Sequence, residues 1–118
     1  MSLSRVWMAG LLLAALSHAA LAGEPPAEPV IKITAKKFEF SPQKIVLHVN
    51  KLVVLELRSL DRKHGFSVPD LGIRVDILPD KPTLVRVRPT KVGKFAVHCD
   101  VFCGEGHEDM TGEIEVVP

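Results

Sequence analysis

GKFAVHCDVFCGEGHEDMTGEIEV, residues 93–116, sets two alternating segments on either side of a loop crowded with metal-binding side chains. In the first segment Phe95, Val97 and Cys99 share one face, and Lys94, Ala96 and His98 share the other. A period of two predicts a strand that delivers Cys99 on its oily side. In the second segment Ile114 and Val116 alternate with Glu113 and Glu115, with Gly112 at the opening. Between them runs Cys99-x3-Cys103-x3-His107-x2-Met110, in which Gly104 and Gly106 free the chain to fold back on itself.

The same texture continues upstream. Ile31, Ile33 and Ala35 alternate with Lys32 and Thr34, Ile45, Leu47 and Val49 with Val46 and His48, Leu55 and Leu57 with Glu56 and Arg58, and Val85 and Val87 with Arg86 and Arg88. Turn signals separate these runs at Ser41-Pro42, Val49-Asn50-Lys51, Pro69-Asp70, Pro79-Asp80-Lys81-Pro82 and Lys91-Val92-Gly93. Short, evenly spaced strands with no helical period and no internal repeat predict a single all-β domain, a β-sandwich. In such a fold the loops gather at the two ends, where the strands behind them hold a site rigidly.

Ahead of this domain, residues 1–22 combine Arg5, an apolar run from Val6 to Leu16 and a closing Ala20-Leu21-Ala22. That pattern predicts a secretory signal peptide cut before Gly23; a retained membrane anchor is the alternative, which the flanks fit less well. GEPPAEP, residues 23–29, reads as an extended Pro-rich tether, leaving 30–118 as the folded domain. The whole chain of 118 residues carries 15 Lys+Arg against 14 Asp+Glu, and loss of Arg5 brings the two into balance. General affinity for nucleic acid or for acidic membranes does not follow from such a charge. Both cysteines lie in the exported part, which points to an oxidising compartment such as a bacterial periplasm, and to either a disulfide or a metal site.

Thiolate and thioether are soft donors and imidazole serves copper in both oxidation states, so Cys, His and Met on one loop suit copper. A blue-copper site uses one thiolate, and here there are two. A second histidine is needed, and His64 in SLDRKHGFSVP is the best candidate, expected on a loop at a sheet end. Two thiolates, two imidazoles and a thioether exceed the needs of one four-coordinate ion and suffice for two copper ions sharing both sulfurs. Two other readings stand beside this one. A Cys99–Cys103 disulfide uses only the thiols, and a zinc site of His64, Cys99, Cys103 and His107 leaves Met110 without a purpose.

SLDRKHGFSVPDLGIRVDILP, residues 59–79, together with the loop and its two strands, resembles the binuclear CuA copper domain of cytochrome c oxidase subunit II and of nitrous oxide reductase. The resemblance covers roughly residues 59–117. It implies a cupredoxin-like Greek-key sandwich in which Cys99 and Cys103 bridge two copper ions, His64 serves one ion and His107 the other. Met110 and the Val101 carbonyl are implied as weak ligands, Met110 on the copper that carries His64. The implied role is one-electron transfer without bond-making catalysis. The implied partners are a c-type cytochrome or a terminal oxidase or reductase, with a copper chaperone or thiol reductase for maturation. A copper-delivery protein for oxidase or reductase assembly is the second reading, and a truncated oxidase-like subunit docking on a membrane partner the third.

The sequence departs from that family at several points. Oxidase members carry two transmembrane helices before the copper domain, where this chain is expected to have only the signal. Val101 stands in place of a glutamate, keeping the carbonyl and losing the carboxylate. Trp7, the single tryptophan, leaves with the signal and there is no tyrosine, so the aromatic patch of the oxidase domain is represented only by Phe38, Phe40 and Phe66. Asp100, Glu105, Glu108 and Asp109 read either as an acidic rim for a basic cytochrome or as a solvated loop. His48 reads as an ordinary surface residue, and His98 as exposed or packed beside the site. Asp61 and Asp76 match family positions.

Overall fold

Alternation of branched apolar with polar residues yields β1 (Val30–Lys36), β3 (Lys44–His48), β4 (Val53–Ser59), β7 (Thr83–Val87), β8 (Gly93–His98) and β9 (Thr111–Val117), as the sequence predicts. Three further strands, β2 (Glu39–Ser41), β5 (His64–Val68) and β6 (Ile73–Ile77), complete the set. The computed structural model describes residues 28–102 and 104–118. The expected signal peptide, most of the expected tether and Cys103 lie outside the described residues.

The strands form two sheets, ordered β2-β1-β4-β7 and β3-β9-β8-β5-β6. β1 runs parallel to β4 with Ile31 opposite Leu55 and Ile33 opposite Leu57, while β3 runs parallel to β9 with Ile45 opposite Ile114 and Leu47 opposite Val116. The remaining pairings are antiparallel. Connections β2–β3, β3–β4, β4–β5, β6–β7 and β7–β8 pass from one sheet to the other, so the sheets close into a sandwich.

The inward residues, among them Ile33, Leu55, Leu57, Phe66, Ile77 and Ile114, are buried to within one per cent of full exclusion from solvent. Each such side chain contributes about 1.5–3 kcal/mol relative to exposure. Phe40 and Phe66 meet edge to face across the core, with centroids 5.7 Å apart. Toward the loop end the core continues into Cys99 and Met110 without a break.

His64 departs from expectation in one respect: it is the first residue of β5, opposite Ile77 of β6, and not a loop residue. The alternation that would have revealed this strand is absent, because His64, Gly65, Phe66 and Val68 are all buried. A strand covered on both faces loses the oily and wet sides that a period of two depends on.

Candidate metal centre

Two strand ends bring the first donors together. β5 and β8 pair through Ser67 and His98, and beyond that point the chain after β8 runs alongside the start of β5. The Gly65 amide donates to Cys99 Sγ at 3.4 Å, and Cys99 Sγ stands 3.9 Å from His64 Nδ1. Nitrogen and sulfur bound to one tetrahedral first-row ion lie about 3.5 Å apart, as bond lengths near 2.0 and 2.3 Å require. The Val101 carbonyl oxygen lies 3.4 Å from Cys99 Sγ, on the same side.

From the other flank, β8 and β9 pair out to His98 and Thr111. One step further the Cys99 amide donates to the Met110 carbonyl at 3.1 Å, which sets Met110 opposite Cys99 at the loop mouth. Both side chains are buried, and His64 is wholly so. His107 opens a single 3-10 turn, His107–Asp109, whose Asp109 amide donates to the Gly106 carbonyl at 3.0 Å. The placement of Cys103 and of the His107 side chain lies outside the described residues. Among the described residues no three His, Cys, Asp or Glu side chains gather as a metal cluster, and those two donors are not in that set.

His64 is oriented by a carboxylate. Asp61 Oδ1 lies 2.6 Å from His64 Nε2, so the ring carries its proton there and turns the Nδ1 lone pair toward Cys99. Asp61 is fixed in turn by the amides of Lys37 at 2.8 Å and Arg62 at 2.7 Å, and Ser59 Oγ accepts from the Asp61 amide. Desolvation works against ionisation of Asp61, but the Lys37 amide, the His64 ring and the Arg62 amide outweigh it and hold the carboxyl down to about 2.

Asp100, read as rim or solvated loop, is exposed and ion-paired. Arg74 Nε and Nη2 donate to its two oxygens at 2.8 Å each, and Arg74 Nη1 donates to Asp76 Oδ1 at 2.5 Å. Those carboxylates, Asp100 first, raise the guanidinium's already high pKa further. Phe38 lies across the far half of the loop: Cβ atoms built on Gly104 and Gly106 would stand 3.5 and 3.3 Å from its ring. Both glycines adopt positive φ, 134° and 97°, which a side chain would strain. Phe102 is 70% exposed at the same end. His98 is exposed on the face away from Cys99, and His48 is exposed at the end of β3, its ring 3.4 Å from the Pro118 carbonyl.

Residues 6–116 match the model of the cupredoxin-like domain. Cytochrome c oxidase subunit 2 of Thermus thermophilus is 31% identical over 91 residues, which are 77% of this chain and 67% of that protein. A second subunit 2 from the same species is also 31% identical, and there the match spans 54% of its length. Alternative cytochrome c oxidase subunit 2 of Bradyrhizobium diazoefficiens is 36% identical over 59% of this chain and 25% of its own. The chain thus spans from about two thirds down to a quarter of these relatives. Among solved structures, the periplasmic domain of subunit II of cytochrome oxidase from Bradyrhizobium japonicum superposes with a TM-score of 0.70 at 24% identity, covering 79% of this chain and 86% of that one. A heme-copper terminal oxidase dimer contains a chain that superposes at 0.68 with 26% identity, over 77% of this chain and 66% of that one. The sandwich seen here is therefore the cupredoxin-like one that the loop and its flanking strands imply.

Proposed function

The chain belongs to the cupredoxin-like family, and on that footing we propose that it is a periplasmic one-electron carrier with a binuclear copper centre. The residues that would hold it are His64, Cys99, the Val101 carbonyl, Cys103, His107 and Met110. The observation that carries this reading is the convergence of His64 Nδ1, Cys99 Sγ and the Val101 carbonyl at one buried strand end, opposite a buried Met110. A soft sulfur, an imidazole and a carbonyl at those separations fit copper, and the thioether has a use there that zinc would not give it.

Copper bound in this position supplies reversible one-electron exchange. The chain's own part is to keep the donors still. Asp61 holds the His64 proton on Nε2, so Nδ1 stays available as a donor. The Gly65 amide donates to Cys99 Sγ and so fixes where that sulfur stands. The sheet that holds β5, β8 and β9, packed on the second sheet of the sandwich, resists displacement of the donors, which keeps rearrangement on electron exchange small. No bond is made or broken in this role, so the protein is an electron-entry component and not an enzyme. The exposed Phe102 and half-exposed Phe38 at the same end supply an apolar contact for a redox partner, a c-type cytochrome or a terminal oxidase or reductase. Where Cys99 and Cys103 have oxidised to a disulfide, a thiol reductase must open it before copper can load.

The test is to reduce the metal-free protein, add copper and record electron paramagnetic resonance. An electron shared by two equivalent copper nuclei gives a seven-line hyperfine pattern, the result expected. A four-line pattern means a single copper and overturns the binuclear reading, and a silent, colourless product overturns copper itself. Loss of the metal within minutes to an apo-acceptor would replace the carrier with a copper-delivery protein.

A further inference from the structure

Asp100 follows Cys99 and precedes Val101 in the chain, and it makes a two-pronged ion pair with Arg74. Arg74 meets both of its oxygens in a parallel fork, Nε to Oδ2 and Nη2 to Oδ1, each at 2.8 Å. That geometry fixes direction as well as distance. The guanidinium is itself held from β6, because Nη1 bonds Asp76 and Lys63 Nζ stands 3.4 Å from the other Asp76 oxygen. Beneath the fork lies Gly65: a Cβ built there would sit 1.9 Å from Asp100 Oδ1 and 3.2 Å from the Asp100 amide nitrogen. Asp100 Oδ1 therefore occupies the space that a side chain on Gly65 of β5 would fill, and the carboxylate is tied to β6 through Arg74.

The geometry points to Arg74 and Asp100 as a clamp that positions Cys99, Asp100 and Val101 against β5, so the first thiol and the carbonyl face His64 before any metal arrives. The value of that alignment rests on the copper reading above. An ion pair with both partners partly exposed adds little to global stability, so its effect is local and concerns how often this part of the loop lifts away. Arg74 and Asp100 are positioning residues, acting through Cys99 and Val101. Lysine cannot replace the arginine, because an ammonium has no fork.

The experiment uses the full chain, reduced and metal-free, as wild type, Arg74→Gln, Arg74→Lys, Asp100→Asn and the Arg74→Gln/Asp100→Asn double variant. Cys99 is 5% exposed, so iodoacetamide reaches it only when the loop opens, and peptide mass spectrometry separates its labelling from that of Cys103. Each single variant is expected to speed Cys99 labelling by about tenfold, with the thermal midpoint nearly unchanged. The double variant is expected to go no further than either single change, since both remove the same contact. On copper-loaded protein the same variants are expected to yield copper(I) to bathocuproine disulfonate faster by a similar factor, with altered hyperfine splitting. Unchanged labelling in Asp100→Asn, or a double variant whose effect is the product of the singles, overturns the clamp. The labelling arm needs no metal, so a wild type that takes up no copper pair defeats the carrier reading while the clamp is still decided on its own terms.

Discussion

Gly65 has no slack on the side that faces the loop. Its hypothetical Cβ collides with the carboxylate and approaches the backbone of Asp100, so Gly65→Ala must push the loop off β5 or break the Arg74 fork. We expect a cost of about 1–3 kcal/mol in denaturant unfolding of the metal-free protein, the range for overpacking a filled position. A structure of the variant is expected to show Cys99 displaced from His64; a variant as stable as wild type with the loop in place would show that the contact is yielding. The residues around the site are not equally legible in the sequence. Cys99, Cys103, His107, Met110 and His64 announce themselves because sulfur and imidazole donors are few in the chain and four of them fall on one loop. Asp61, Arg74 and Asp100 are ordinary charged residues in turns and strands, and nothing in their spacing separates a partnered carboxylate from a solvated one. Asp61 precedes His64 by three residues, a separation that suits a carboxylate reaching back to the ring, and that is the one available hint.

Among the elements, the parallel pair β3 and β9 carries its own electrostatic fastening. Lys44 Nζ lies 2.7 Å from Glu115 and 4.0 Å from Glu113 on the strand beside it. The hydrogen bond to Lys44 lowers the Glu115 pKa from 4.5, and the same bond raises the Lys44 pKa from 10.5. A depressed acid stabilises the fold above its unfolded value and loses that contribution as pH falls; a raised base stabilises below its unfolded value and loses it as pH climbs. Glu115→Gln is therefore expected to melt slightly below wild type between about pH 5 and 10, with the difference shrinking on either side of that window in circular dichroism melts. A difference that grew in acid would contradict the pairing. Strands with one wet face, such as β3, β8 and β9, are readable from alternation alone. β5 is hidden by burial on both faces, β2 by having only three residues, and β6 by its place between a 3-10 turn, Pro69–Leu71, and the proline-rich turn that follows.

For the molecule as a whole, the bulk of the core and the proposed copper site lie at different places along the same sandwich. Leu55 is fully buried in the middle of β4, in the sheet that does not hold β5, β8 or β9. Leu55→Ala is expected to cost about 2–5 kcal/mol in urea unfolding by leaving a cavity, while copper uptake and the hyperfine pattern stay as in wild type. A changed spectrum would mean that the two sheets do not insulate the loop from the core behind it. The pairing of β3 with β9 also bears on timing. Lys44–His48 finds its parallel neighbour in Thr111–Val117, which is made more than sixty residues later in a chain synthesised from its amino end. Until it emerges, one sheet lacks its second strand and the loop just before it is held on the β5 side alone. The Cys99 thiol, buried in the finished sandwich, is thus open to redox helpers until Thr111–Val117 docks.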